Sequence, residues 1–241
     1  MPAETLPEHL GLFGQSGTGK SFMLMSIGLQ LVRRGYTVWI IDVEDEHSRL
    51  LPLLPEGALI PLHYTDLRFS FFQTPGPWVA TTSWNDELGL LFRSEFFLRD
   101  GSLNLFGPEM TKLLERKGVS AGGSDWPSLV DVIGHFAGLR FGPKTRHAGY
   151  IESLLNRLFG LANSFEQTSR VTSSTMLPSL AQRSVIFRFP RLTGTPLQFL
   201  TSFLLLWLAR DARRRDALRG RRASAAAPEP AGRDQLPVVR R

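Results

Sequence analysis

Gly14-Gln15-Ser16-Gly17-Thr18-Gly19-Lys20-Ser21 satisfies the pattern G-x-x-x-x-G-K-[S/T], and the rest of the chain is read outward from it. Glycines at these spacings let the backbone fold over a phosphate chain and aim successive N–H groups at it, which a row of Cβ atoms would obstruct. All eight residues are therefore assigned to nucleotide binding. Lys20 is expected to reach the β- and γ-phosphates as a flexible point charge. Ser21 is expected to give its hydroxyl to Mg²⁺, and the helix that starts there to add the positive end of its dipole.

Such a motif counts only where a strand precedes it and a helix follows. Leu10 to Phe13 is a short apolar run that supplies the strand, and Phe22, Met25, Leu29 and Val32 recur at the spacing of a half-buried helix. Arg33-Arg34-Gly35 closes that helix with cations and a glycine. Thr37-Val38-Trp39-Ile40-Ile41-Asp42 follows as a β-branched apolar run, the signature of a buried parallel strand. The fold class expected is α/β.

After that strand comes the acidic turn Asp42-Val43-Glu44-Asp45-Glu46-His47. It lies at the carboxyl end of a strand, where open α/β sheets gather ligand-contacting groups. Asp42 and Glu46 join Lys20 as candidate catalytic residues, placed near Mg²⁺ or its waters. Glu44 and Asp45 read as solvated turn carboxylates, and His47 as a surface residue, since no second histidine lies at metal spacing.

Further on, Leu67-Arg68-Phe69-Ser70-Phe71-Phe72 alternates well enough for another strand. Helices are expected over 78–97, 103–117 and 124–139, the last opened by Ser124-Asp125-Trp126-Pro127 with proline in its first turn. Together they make a helical insertion over about 77–142. A longer amphipathic helix, from Arg146 to about Thr168, carries the stripe Ile151, Leu154, Leu155, Leu158, Phe159 and Leu161 and should pack on the sheet. Ser184 to Phe189 is a further strand. The apolar run from Leu197 to Ala209 is a buried helix, because 13 residues are too few for a membrane span of about 20. Two units follow: a core over 1–209 and a basic, Ala/Pro-rich tail over 210–241.

The net charge of +6 is carried by that tail, which holds ten arginines against four acids and leaves the remainder neutral. Any affinity for DNA is accordingly expected from the tail, the alternative being a solvated helix end and linker. The absence of cysteine removes disulfides, thiolate zinc sites and a cysteine nucleophile. Residues 1–9 are polar and proline-bearing, without the basic start and apolar run of a signal peptide, so a cytoplasmic location is expected.

The loop 14–21, the strand with its acidic turn over 37–46, the 67–72 segment, the helical block and the 184–189 strand with its following helix resemble, in that order, the HerA and FtsK superfamily of ring-forming DNA-pumping ATPases. TraG-type coupling proteins and the secretion ATPases of conjugation systems belong to it. The resemblance implies a P-loop NTPase (RecA-like) three-layer sandwich with a mainly parallel sheet, ATP and Mg²⁺ as cofactors, and a homo-oligomer forming a hexameric ring. It also implies DNA as a partner and a place beside membrane-associated secretion machinery, peripheral at the inner membrane. That family's next strand would end in Asp-Glu, and Leu236 to Val239 looks like its beginning, so the chain reads as truncated before that motif and its arginine finger, and hydrolysis by this chain alone is expected to be poor. Two other readings stay open. Arg34 to Asp42 also resembles the second strand of ParA and MinD ATPases, although Gln15 stands where that group has lysine; the remaining one is a non-catalytic nucleotide-binding module.

Overall fold

A computed structural model describes residues 12–13, 15, 17–142 and 145–226, with the last helix described by its backbone alone from residue 213. The element that opens it is helix α1, Lys20–Arg33. Gly35, at φ 81°, ends it: Gly35 N–H bonds Val32 O and Tyr36 N–H bonds Leu31 O. This pair of bonds satisfies the last carbonyls of the helix and needs a left-handed residue, which glycine supplies without strain. Strand β1, Trp39–Asp42, follows; then come a 3₁₀ turn over His47–Leu53 and strand β2, Ile60–His63.

The polypeptide then leaves the sheet for a helical block: α2, Thr81–Phe96; α3, Asp100–Arg116; α4, Leu129–Gly138; α5, Arg146–Ser164; and the short α6, Met176–Leu180. It returns as β3, Val185–Arg188, and ends in α7, Gly194–Ala226. Among the described residues the sheet has three strands in the order β1-β3-β2, all parallel. Chain order and sheet order differ because β3 arrives last and inserts between the other two. Pro61 sits in the outer strand β2, where a missing N–H does least harm.

Side chains of β3 alternate between two cores. Val185, Phe187 and Phe189 belong to the large core built with α2 to α7, whereas Ile186 joins Leu50, Leu59 and Ile40 beneath α1. Helices therefore cover both faces of the sheet. The approach of α1 is close: a Cβ on Gly28 would lie 3.6 Å from Ile40 Cδ1. On the opposite face Trp39 stands edge-on to Phe187 with centroids 4.8 Å apart and stacks on Trp207 of α7. Its indole Nε1–H donates to Leu180 O at 3.1 Å.

Four expectations from the sequence change here. Leu12 and Phe13 form no strand, Phe13 being almost wholly exposed, and Leu10 of that run lies outside the described residues. The segment 67–72 is not a strand either: it is irregular chain ending in a turn, with Leu67, Phe69, Ser70, Phe71 and Phe72 buried. Its carbonyls are met by side chains instead of a strand partner, Thr168 Oγ1 donating to Leu67 O and Ser174 Oγ to Arg68 O, while its own Ser70 Oγ donates to the Pro127 backbone O. Helix α5 packs chiefly against α4 and α3, and against α7, rather than mainly on the sheet. Finally, α7 runs on without a break past Ala209, where Arg210 Nε donates to Glu87 Oε2 at 2.8 Å and Asp211 is buried. The run Leu236 to Val239 lies outside the described residues. Among the described residues no helix is long and apolar enough to cross a membrane.

Candidate functional site

The loop is built from short-range bonds. Thr18 N–H and Oγ1 both donate to Gln15 O, at 3.4 and 2.8 Å. Gly17 and Gly19 take φ of 81° and 85°, and among the described residues nothing lies within 4 Å of where a Cβ on either would stand. Gly19 is the N-cap of α1, and its carbonyl accepts from Met23 N–H at 2.9 Å. The glycines thus turn the backbone through the left-handed region while keeping one side of the loop clear, as an anion cradle requires. Gly14 and Ser16 lie outside the described residues.

Lys20 and Ser21 are the first two residues of α1, and no acid occupies that first turn. Positive partial charge from the free N–H groups is therefore not cancelled locally. Lys20 Nζ donates to Gln15 O at 2.5 Å, which folds the ammonium back over its own loop. Ser21 is exposed at the same end. These residues fit the phosphates of a nucleotide: open glycines, backbone donors, one flexible cation and one hydroxyl for a magnesium ion.

Helix α1 runs antiparallel to β1, because only residues 34–38 connect the end of one to the start of the other. Lys20 therefore lies toward the carboxyl edge of the sheet. That edge holds a row of registered residues, Asp42, Arg188 and His63. Strand alternation puts Asp42 and Arg188 on the same face as Ile40 and Ile186, the α1 face.

Asp42 is 1% exposed, and its bonds are internal. Oδ1 accepts from Glu46 N–H at 3.2 Å and Oδ2 from His47 N–H at 2.9 Å, while His47 Nδ1 lies 3.1 Å from Oδ1. The carboxylate organises its own acidic turn. Glu46 caps the 3₁₀ turn through its backbone and is half-buried. His47 is then no free surface residue, and its proximity to Asp42 is what the sequence reading missed.

Asp45 is the other correction. It is not a solvated turn carboxylate, because Arg188 Nε and Nη2 donate to its Oδ1 and Oδ2, both at 2.6 Å, and Ser48 Oγ donates to Oδ1 at 2.8 Å. The Arg188 guanidinium, then the Ser48 hydroxyl, hold the Asp45 carboxyl at about 2, below its ordinary 3.8, with burial opposing weakly. Asp45 in turn raises Arg188. Its backbone is left-handed at φ 59°, a conformation aspartate tolerates better than most residues. One signal pointed to this pair: a cation at the carboxyl end of an otherwise apolar strand. Among the described residues no group of three or more His, Asp or Glu side chains is arranged to hold a metal ion.

Residues 2–73 match the family model of helicase HerA, central domain. The match covers the loop, α1, β1, the acidic turn and β2, under a third of the 241 residues. It is a likeness to a P-loop ATPase family, and it ends before the helical block. Curated proteins give no match to the chain.

Proposed function

We propose that this chain is an ATP-binding P-loop NTPase of the DNA-translocating motor type, with a RecA-like three-layer core. The observation that carries the reading is the left-handed Gly17–Gly19 turn capping α1 with Lys20 and Ser21 in its first turn. Residues 17–21 supply backbone donors, Lys20 the mobile charge and Ser21 the oxygen toward Mg²⁺; the ion, when bound, neutralises charge between the β- and γ-phosphates. The likeness of residues 2–73 to a HerA central domain supports the same class. Assembly into a ring, and DNA or protein as translocated cargo in conjugative transfer, belong to the same proposal.

Isothermal calorimetry with ATP·Mg²⁺ tests it. Lys20→Ala is expected to abolish measurable affinity, and unchanged affinity in that variant would overturn the assignment.

Hydrolysis by the chain alone is proposed to be slow. Transfer of a phosphoryl group depends on positioning and electrostatic stabilisation, and an arginine finger alone is worth roughly 10³ to 10⁵ in rate. Asp42 already accepts bonds from its own turn, and β3 ends in Arg188, itself engaged by Asp45. These bonds favour a second reading beside the first, a module that binds nucleotide without turning it over. Steady-state phosphate release with and without DNA separates the two. Vigorous release lost on Asp42→Asn would instead make Asp42 the catalytic acid.

A further inference from the structure

The sequence assigned any nucleic-acid affinity to the tail, yet the folded block holds an unneutralised cationic cleft of its own. Arg99 is the N-cap of α3, Arg146 stands in the first turn of α5, and Arg157 lies on α5 about 16 Å further along its axis. Arg146, Tyr150, Ser153 and Arg157 recur at intervals of three and four, so they share one helix face. With Phe97 they line a single cleft of about 420 Å³. No carboxylate is among its described lining residues. The nearest acids in sequence are turned elsewhere: Asp100 pairs with Arg93 at 3.2 Å, and Glu152 lines a neighbouring cleft. Among the described residues none of the three arginines has an acidic partner.

The clustered charge opposes folding. Three guanidiniums around one concavity repel one another, and a cation in the first turn of α5 opposes the helix dipole. Phe97 ends α2 in the left-handed conformation, φ 53°, where glycine is preferred, and it is 87% exposed. The wall behind it is nevertheless well built. Ser102 Oγ donates to Tyr150 O at 3.2 Å, and the Tyr150 ring lies so close over Gly101 that a Cβ there would stand 2.3 Å from its Cζ. Local costs gathered at one cleft with rigid walls are the mark of a binding site.

We propose that this cleft binds single-stranded nucleic acid, its arginines holding on the order of three successive phosphates and Phe97 offering its ring to an unstacked base. Arginine suits phosphate through its planar fork of donors. An isolated, protruding ring suits a base already freed from a duplex. The inference does not depend on nucleotide binding at the loop 14–21.

The test is fluorescence anisotropy of the full-length chain with labelled oligo(dT) over a salt series. The triple variant Arg99→Ala/Arg146→Ala/Arg157→Ala is expected to weaken binding at least about tenfold and to flatten the log–log salt slope by about 2, at roughly 0.7 per phosphate lost. Phe97→Ala is expected to weaken binding a few-fold at unchanged slope. The three arginines are exposed, and the triple Arg→Lys variant, which keeps the charge, is expected to retain the slope and so to separate charge from misfolding. An unchanged triple Ala variant, or a slope lost only when five of the ten tail arginines, Arg221, Arg222, Arg233, Arg240 and Arg241, are replaced by glutamine, would overturn the proposal. So would an equal loss with a 20-base-pair duplex, or full displacement of oligo(dT) by millimolar pyrophosphate, which would make the cleft a small-anion site.

Discussion

Asp45 carries two loads, a left-handed backbone and a bidentate bond to a strand that arrives 143 residues later. Because its folded carboxyl sits at about 2 against an ordinary 3.8, the unfolded chain takes up the proton first as pH falls. The stabilisation from this pair is thus complete above about pH 4 and lost on approaching pH 2. Asp45→Asn keeps the left-handed preference but removes the charge. Melting curves of the two proteins between pH 2 and 6 should show the wild-type advantage shrinking as the pH falls through that window. A gap that stays constant would mean that the pair contributes no charge-dependent stability. The same reasoning does not extend to Asp42, whose partners belong mostly to the backbone of its own turn.

Among the elements, α4 shows how a local signal can be displaced by a better one nearby. The proline at 127 suggested a helix opening at Ser124, but Ser128 makes the superior cap: its Oγ accepts from Asp131 N–H at 3.0 Å while Asp131 Oδ2 accepts from Ser128 N–H at 2.9 Å. Ser128→Ala is expected to cost about 1 kcal/mol in urea unfolding; no shift in the midpoint would show the cap to be redundant. A polar clasp ties α4 to α3. Arg116 donates to His135 Nδ1, which leaves the ring proton on Nε2 to donate to Glu109 Oε2 at 3.0 Å. Burial works against the charge on Glu109, yet Lys112 and His135 together hold its carboxyl below the ordinary value.

For the molecule as a whole, the two faces of the sheet are unequally covered. On one face the 67–72 segment, the residue after α5 and helix α7 supply a phenylalanine network in which Phe71 meets Phe69, Phe165, Phe199 and Phe203 at centroid distances of 5.1–5.9 Å. Phe203→Ala is expected to cost about 3–5 kcal/mol, since the cavity would open at the centre of that network; a loss under about 1 kcal/mol, read by calorimetric melting, would contradict it. Beneath α1 the fully buried set among the described residues is Leu50, Leu59 and Ile186, and Phe22, Met23 and Leu24 remain exposed. Helix α1, which presents Lys20, is therefore held by less apolar contact than α5 or α7. Native-state amide exchange should find α1 opening more readily than either, as expected for an element with few buried contacts. Equal protection across the three would refute this.

What was legible before folding rests on short range. The helix that opens at Lys20, the glycine stop at Gly35, the strands β1 and β3, and four of the six stripe residues of α5, Ile151, Leu154, Leu158 and Leu161, follow from residues within one or two turns of each other, where backbone sterics and periodicity suffice; of the other two, Leu155 is half-buried and Phe159 exposed. Three features needed the packed chain. The 67–72 segment alternates like a strand, but its carbonyls find Thr168 and Ser174, about a hundred residues away, before they find a strand edge. Asp45 reads as a solvated acid until parallel pairing brings β3, and with it Arg188, beside β1. The arginines of α3 and α5 look like ordinary solvated charges in a neutral stretch of sequence, and only the docking of α5 against the start of α3 gathers them without a carboxylate between. Charge in a sequence is a sum, whereas charge at a surface depends on which residues the fold sets side by side.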